Sequence, residues 1–228
     1  MIAMSTRVGL IVPSSNTVAE VDFYRTLPDS ATLHTARMYL KQATPDAESE
    51  MLDRHLPGAL TDLATACPEI VVFACTSAGT LRGNAYEKQL IARIGARTSA
   101  ETVSVAAAVR RAIASREARR IGVITPYVES LNRKIRASLE EDRLEVAGIH
   151  GMGIAENLEI GAVQPDRIAA FACDRFERGE IDLLFVSCTN FRALEAREKL
   201  EQALQIPVVT SNHAALEAVL AQIGVHSA

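Results

Sequence analysis

The stretch VVFACTSAGT, residues 71–80, is an apolar run that gives way to small polar residues at Cys75. A second stretch, LLFVSCTNFR at residues 183–192, makes the same change at Cys188. Each apolar run is typical of a buried strand, and each cysteine stands where the strand pattern ends and is followed by threonine. The two cysteines are therefore candidates for equivalent positions in two related units.

A constant spacing connects these two stretches with the rest of the chain. Cys75 and Cys188 are 113 residues apart (188 − 75), and so are Pro13 and Pro126 (126 − 13), which end the first strand-like run of each half. In this overlay VGLIVP lies over IGVITP, and FACTS lies over VSCTN. Self-similarity at a fixed offset is the signature of an internal repeat. It predicts two homologous halves that face one another across a pseudo-two-fold axis.

The chain alternates strand-like and helix-like segments throughout. Near-continuous apolar strands separated by helices are typical of parallel sheets covered on both faces. The sequence therefore predicts an α/β fold of two pseudo-symmetric Rossmann-like domains with parallel sheets and with the active site in the cleft between them.

The domain boundary is placed near residue 100, which gives domains of residues 1–100 and 101–208. The segments 97–113 and 209–223 both carry Thr-Ser ahead of a helix pattern, and we expect each to close one half. We also expect the C-terminal segment 209–228 to return to the first domain.

Composition narrows the class of protein. The 228 residues are 48% apolar and 23% charged, which is typical of a soluble globular chain. A net charge of −4 gives no basic surface for nucleic acid. The apolar runs are shorter than the roughly 20 residues of a membrane span, and the start MIAMSTRVGL does not follow the pattern of a signal peptide. We expect a cytoplasmic protein with no nucleic-acid or membrane partner.

The remaining cysteines and the histidines give no sign of a metal site. None of the four cysteines forms a CxxC pair, and Cys67 and Cys173 are expected to pack or to fill loops. The five histidines show no ligand spacing and are expected to be structural or surface residues. The chain also has no glycine-rich nucleotide loop, so the sequence predicts neither a metal nor an organic cofactor.

Both candidate thiols are expected at one cleft. Ligands of parallel α/β sheets bind outside the carboxyl ends of the strands, where each cysteine leads into a helix. The N-terminus of a helix favours anions, so we expect it to lower the pKa of the thiol and to accept a substrate carboxylate. Four neighbouring side chains add hydroxyl and amide groups for binding: Thr76, Ser77, Thr189 and Asn190. This arrangement suits chemistry with a nucleophile on one face and an acid on the other.

Three further residues are candidates for the same cleft, and each has an ordinary alternative. Asn16 lies in PSSNT after the first strand, where it could equally be a helix N-cap. Tyr127 follows the corresponding strand of the second half and could be a packing residue. Asn157, in GIAENLEIG, could be a loop or cap residue. Asn16 overlays Glu129, so the two halves are not chemically symmetric.

Taken together, the motifs resemble the maleate cis-trans isomerases of the Asp/Glu racemase superfamily. The resemblance is carried in order by GLIVPSSNT at 9–17, FACTS at 73–77, TPY at 125–127, AEN at 155–157 and SCTN at 187–190. It implies cofactor-free catalysis, a homodimer and a small dicarboxylate substrate. It also implies that Cys75 is the nucleophile and Cys188 its acid–base partner. Asn16, Tyr127 and Asn157 match the residues that hold the substrate carboxylates.

The implied reaction converts maleate, or a similar cis-enedioate, to fumarate. The Cys75 thiolate adds to the carbon–carbon double bond and gives a succinyl-cysteine-like adduct. Rotation about the former double bond and loss of the thiolate then give the trans product, while Cys188 protonates and deprotonates the neighbouring carbon.

Other functions stay open at this stage. A two-cysteine amino-acid racemase or epimerase would use the thiols as a pair of bases, and a protein of ectoine breakdown shares the isomerase-like pattern. A decarboxylase of the arylmalonate type keeps only the second cysteine, so Cys75 argues against it. A non-catalytic binder of dicarboxylates would need the anion-holding groups but not the paired thiols.

Overall fold

Two parallel sheets form the frame of the protein. The computed structural model describes residues 5–224, and in this range each sheet has four strands, in the orders β2-β1-β3-β4 and β6-β5-β7-β8. The strands are β1 (Thr6–Pro13), β2 (Ala31–Met38), β3 (Ile70–Phe73), β4 (Glu101–Ser104), β5 (Arg120–Thr125), β6 (Glu145–Gly151), β7 (Leu183–Val186) and β8 (Val208–Thr210). All neighbouring strands pair in parallel. The predicted α/β fold with parallel sheets is confirmed.

Helices connect the strands in both halves. In the first half they are α1 (Ala19–Thr26), α2 (Pro45–Glu50), a π-helical turn (Met51–His55), α3 (Leu56–Ala64), α4 (Thr76–Thr80), α5 (Asn84–Thr98) and α6 (Val105–Ala114). In the second half they are α7 (Glu129–Glu141), α8 (Asn157–Ala162), α9 (Pro165–Cys173), α10 (Ala193–Leu204) and α11 (Ser211–Ile223). No helix within residues 5–224 combines the length and apolar character needed to cross a bilayer.

Strands β3 and β7, which precede the two cysteines, are covered on both faces. Every residue of β3 (IVVF) and of β7 (LLFV) is buried, as expected for parallel strands with packing on both faces. The core that covers them runs through both halves, and its largest fully buried side chains include Phe23, Phe73, Phe185 and Phe191.

Strand β4 bears on the division of the chain. It pairs with β3 through Ile70 and Glu101 at one end and through Phe73 and Ser104 at the other. A boundary at residue 100 would therefore separate β4 from the sheet to which it is hydrogen-bonded. The division into domains stays a prediction, but β4 belongs to the first sheet.

The two Thr-Ser pairs have different roles, contrary to the sequence-based interpretation. Thr98 is the last residue of α5 and Ser99 follows it with a left-handed backbone, so this pair ends a helix. Thr210 instead caps the start of α11, where its side chain accepts a hydrogen bond from the His213 backbone N–H at 3.2 Å. The first-half residue that plays this part is Ser104, which caps α6.

The last helix makes contacts with the first half. Helix α11 packs against α6 and also touches α1 and β4. Asn212 Nδ2 donates to Asp22 Oδ2 of α1 at 2.7 Å. These contacts support the proposed return of segment 209–228, of which residues 225–228 lie outside the described residues.

Candidate active site

Cys75 lies at the junction of a buried strand and a short helix. Strand β3 ends at Phe73, and Cys75 keeps an extended backbone (φ −144°, ψ 105°) immediately before α4. The side chains of α4 are small, which lets it pack closely: a Cβ on Gly79 would lie 3.1 Å from Ala106 Cβ. Cys75 is 4% exposed, and its sulfur lies 3.9 Å from Ser77 Oγ.

Cys188 has a different backbone. Its φ of 111° is a conformation that non-glycine residues rarely adopt, and such strain persists only where surrounding contacts hold it. Two hydrogen bonds do so here. The Cys188 backbone N–H donates to Ser211 Oγ at 3.0 Å, and the Asn190 backbone N–H donates to Cys188 Sγ at 3.2 Å.

Ser211 joins the two cysteine loops and was missed by the sequence analysis. Besides the bond from Cys188, its hydroxyl accepts a hydrogen bond from Thr76 Oγ1 at 2.9 Å. Ser211 is the first residue of α11 and is fully buried. The only sequence signal was the Thr-Ser pair before the last helix, which marked the helix start but not its contact with both loops.

The thiols are less acidic than the helix N-terminus led us to expect. Burial, then the charge of Glu48, raises the pKa of Cys75 well above its usual range, while the Ala78 backbone N–H opposes this only in part. Burial raises the pKa of Cys188 to about 12, although a hydrogen bond from Tyr127 favours its thiolate. The prediction of a lowered thiol pKa is therefore wrong, because desolvation outweighs the backbone N–H groups.

Tyr127 is a buried member of the same cluster. It is 2% exposed, and burial followed by the nearby sulfurs of Cys188 and Cys75 raises the pKa of its hydroxyl well above the usual range. Tyr127 is therefore a neutral hydrogen-bond donor throughout the physiological pH range.

Glu48 is the second residue that the sequence analysis missed. It is fully buried on α2, and Ser77 Oγ donates a hydrogen bond to its Oε1. Its other oxygen, Oε2, has no hydrogen-bond partner. Burial raises the pKa of Glu48 to about 8, and the bond from Ser77 offsets this only partly. No sequence signal could have found it, because a glutamate in PDAESE is indistinguishable from the exposed acids beside it.

Asn16 makes the contacts of a helix cap and also reaches the second half. Its Oδ1 accepts hydrogen bonds from the backbone N–H groups of Val18 at 3.0 Å and Ala19 at 2.9 Å, as a helix cap would. Its Nδ2 donates to Thr189 Oγ1 at 3.1 Å, across to the second half. Thr189 in turn donates to the Ala74 carbonyl at 3.0 Å, next to Cys75.

Asn190 and Asn157 extend this network between the halves. Asn190 Oδ1 accepts from the Thr17 backbone N–H at 2.8 Å, and its Nδ2 donates to the Asn157 carbonyl at 2.5 Å. Asn157 Nδ2 donates to Ser15 Oγ at 2.8 Å. Nearby, the Ala43 backbone N–H donates to the Ala155 carbonyl at 2.7 Å, so two loops from different halves pair beside the cluster.

The predicted site residues thus form one buried network. None of them is more than 4% exposed: Asn16, Cys75, Thr76, Ser77, Tyr127, Asn157, Cys188, Thr189 and Asn190. The network can offer two thiols, several neutral donors and one carboxyl group to a small ligand. Residues 5–224 contain no group of three potential metal ligands. Cys67 and Cys173, by contrast, are exposed.

Comparison with known proteins identifies relatives along nearly the whole chain. The sequence profile described as arylmalonate decarboxylase matches residues 8–228. Maleate isomerase of Nocardia farcinica is 25% identical over 94% of this chain and 88% of its own length. Maleate isomerase of Pseudomonas putida is 26% identical over 94% and 90%. Arylmalonate decarboxylase of Bordetella bronchiseptica is 24% identical over 93% and 88%.

Solved structures share the fold. Maleate isomerase of Pseudomonas putida S16 with maleate superimposes with a TM-score of 0.89 at 23% identity, over 97% of this chain and 93% of that one. A Nocardia farcinica maleate cis-trans isomerase mutant with a covalently bound succinylcysteine intermediate gives 0.88 at 22% identity, over 96% and 93%. An arylmalonate decarboxylase structure gives 0.77 at 22% identity, over 96% and 92%. The predicted resemblance to maleate isomerases is confirmed.

Proposed function

We propose that this protein is an isomerase that converts maleate or a similar cis-enedioate to fumarate. The chain belongs to the arylmalonate decarboxylase family, and several of its relatives are maleate isomerases. The observation that carries this choice is the pair of buried thiols, Cys75 and Cys188, in one hydrogen-bonded network. A nucleophile and an acid on opposite sides of a substrate suit addition to a double bond.

Cys75 is the nucleophile in this mechanism. A sulfur lone pair of its thiolate forms a bond to one alkene carbon, and the π electrons move toward the adjacent carboxylate. Cys188 donates its thiol proton to the other alkene carbon, which leaves a Cys188 thiolate and a succinyl-cysteine adduct. After rotation about the carbon–carbon bond that was the double bond, Cys188 takes a proton back from carbon, the double bond re-forms, and the carbon–sulfur bond breaks to release fumarate and the Cys75 thiolate.

The raised thiol pKa has a consequence for this mechanism. Since burial holds Cys75 as a neutral thiol, its proton must pass to a carboxylate of the dianionic substrate or to solvent before or as the carbon–sulfur bond forms. A buried thiolate is a strong nucleophile once formed, because basicity and nucleophilicity rise together.

The negative charge that develops on the substrate needs hydrogen-bond donors. The amide groups of Asn16 and Asn157 and the neutral hydroxyl of Tyr127 are proposed to hold the carboxylates. The hydroxyl and amide groups of Thr76, Ser77, Thr189 and Asn190 complete the binding site in this proposal. Thr76, Thr189 and Asn190 now make hydrogen bonds between the halves, whereas Ser77 bonds to Glu48 of its own half. A bound substrate would replace some of these hydrogen bonds.

The proposal extends to three properties that rest on composition and resemblance. The reaction needs no metal or organic cofactor, because each step is carried by a thiol or a hydrogen-bond donor. The enzyme is a homodimer and is cytoplasmic. Light scattering of the purified protein tests whether it is a homodimer, and cell fractionation tests whether it is cytoplasmic.

Proton NMR of the purified protein with maleate, without added cofactor, tests the function. Appearance of fumarate is the expected result. No change with maleate, together with exchange of the α-proton of aspartate or glutamate in deuterated water, would instead identify a racemase. Binding of maleate without either reaction would identify a dicarboxylate-binding protein.

A further inference from the structure

Glu48 is a buried carboxyl group that the proposed mechanism does not use. It is fully buried, and α2, which carries it, continues directly into the π-helical turn and packs against α4. Its charge is felt at both thiols and at Tyr127, so it lies at the same cluster as the proposed substrate. Within residues 5–224 no basic residue shifts the pKa of Glu48, which responds only to burial and to the Ser77 hydroxyl.

The two oxygens of Glu48 differ. Oε1 accepts the hydrogen bond from Ser77, whose own oxygen lies 3.9 Å from Cys75 Sγ. Oε2 is buried and has no hydrogen-bond partner in the part of the chain that the structure describes. A buried polar atom without a partner is costly and in a native protein calls for an explanation such as a ligand. The unsatisfied atom therefore belongs to a carboxyl group that is joined through Ser77 to the surroundings of the Cys75 sulfur.

The charge of the ligand decides the state of this carboxyl group. A carboxylate buried without a cation would repel a dianionic substrate, whereas a neutral acid can donate a hydrogen bond to it. In the neutral acid, Oε1 is the carbonyl oxygen that accepts from Ser77, and Oε2 carries the proton. This assignment gives a role to both oxygens.

We propose that Glu48, as a neutral carboxylic acid, donates a hydrogen bond from Oε2 to one carboxylate of the bound dicarboxylate and so selects that substrate class. This inference rests on the proposed function for its ligand. Glu48 is a binding residue here and not the base that activates Cys75, because accepting the Cys75 proton through Ser77 would leave Oε2 unpartnered.

The pH dependence of maleate affinity follows from this donor. Cys75, Cys188 and Tyr127 are the titratable groups that face Glu48, and all of them titrate well above the pH at which Glu48 does. Asp53, Arg54 and His55 on the adjacent π-helical turn contribute nothing to its titration, and α4 has no charged side chain. Of these four buried groups, Glu48 is therefore the one that loses its proton between about pH 7 and 9.5, and we expect maleate affinity to fall by about 30-fold over that range.

Calorimetric titration of maleate into the Cys75→Ala variant measures this affinity without turnover. The expected result is a dissociation constant that rises above about pH 8, with uptake of up to one proton per maleate near pH 9, read from buffers of different ionisation enthalpy. In the double variant with Glu48→Gln, which keeps a donor but cannot ionise, affinity is lower but independent of pH and no proton is taken up. Glu50→Gln, an exposed acid on the same helix, serves as the matched control and should behave as the parent.

The outcomes separate the two proposals. Isomerisation by the unmodified enzyme combined with a pH-independent dissociation constant and no proton uptake would overturn the role of Glu48 alone. Tighter binding as pH rises would show an ionised Glu48 in the complex and would also overturn it. Failure to bind maleate at any pH, with no fumarate formed, would overturn both. Proton uptake needs no change at position 48, so the test stands even if Glu48→Gln does not fold.

Discussion

Helices α2 and α8 follow the second strand of their respective halves, yet they place different groups beside the cysteine loops. Helix α2 brings Glu48 against Ser77, two residues after Cys75. The equivalent position of α8 is Gly161 (161 − 48 = 113), where a Cβ would lie 2.5 Å from Thr17 Oγ1 and 3.1 Å from Asn190 Oδ1. Asn190 in turn is the counterpart of Ser77 (190 − 77 = 113). The first half thus places the carboxyl group of Glu48 beside its cysteine loop, whereas the second half places Gly161, which has no side chain, close to the Asn190 amide.

The two cysteine loops differ in the same way. Cys75 has an extended backbone, and α4 begins with the next residue. Cys188 has a φ of 111°, and α10 begins only at Ala193. The Cys75 sulfur therefore lies at the start of a helix, whereas the Cys188 sulfur accepts individual hydrogen bonds from Asn190 and Tyr127. The difference shows how equivalent positions in a repeat can take unequal chemical roles.

Removal of the proposed nucleophile is the strongest test of this inequality. We expect Cys75→Ala to lower kcat for maleate by about 10⁴-fold or more, because the thiol proposed to form the adduct is removed. Fumarate formation followed by NMR measures the loss, and Cys67→Ala, which removes an exposed thiol, is the control. Turnover close to that of the parent enzyme would rule out covalent catalysis by Cys75.

Removal of the other thiol should have a smaller and different effect. We expect Cys188→Ala to lower kcat by about 10²–10⁴-fold, the usual contribution of a general acid or base. The Cys75 adduct could still form, so mass spectrometry of the intact variant is expected to detect added maleate on Cys75. Equal losses in both variants, with no adduct, would mean that the two sulfurs have the same role.

Glu48, which has no counterpart carboxyl group in the second half, should also make the free energy of unfolding depend on pH. Its pKa is about 8 in the folded protein, against an ordinary value of 4.5. Between these values the folded state keeps the proton and the unfolded state has lost it, so the free energy of unfolding should fall by about 1.4 kcal/mol per pH unit as pH rises, and should level off above about 8. Urea unfolding of the parent and of Glu48→Gln measures the slope.

In Glu48→Gln this contribution should disappear, whereas Glu50→Gln should keep it. A parent and a Glu48→Gln variant with the same slope would mean that Glu48 is ionised in the folded protein.

Substitution of Gly161, the second-half counterpart of Glu48, is expected to have the smallest effect of these changes. Gly161→Ala places a methyl group against Thr17 and Asn190, so we expect a loss of about 1–3 kcal/mol of stability. Gly58→Ala is the matched control, because nothing lies within 4 Å of a Cβ there and alanine favours a helix interior by up to about 1 kcal/mol. Thermal unfolding of both variants checks the contrast, and a stabilised Gly161→Ala would contradict it.

Much of the site could be foreseen from local patterns. The apolar runs before Cys75 and Cys188 gave the strands, and the offset of 113 gave the repeat, because burial on both faces of a parallel strand leaves a continuous hydrophobic signature. Glu48 and Ser211 could not be foreseen in this way. Each lies on a helix whose sequence reads as ordinary, and each acquires its role from a partner 23 or more positions away: Ser77 for Glu48, Cys188 and Thr76 for Ser211.

The sequence by itself determined the alternation of strands and helices along the chain, the doubled cysteines and the family to which they point. Only the tertiary structure decided how acidic those thiols are, that β4 completes the first sheet and that a carboxyl group is buried beside Cys75. The physical reason is that hydrophobic periodicity and motif spacing are local properties of the chain. Desolvation, which raises the pKa values of Cys75 and Glu48, depends on everything that packs around a group and exists only once the halves have come together.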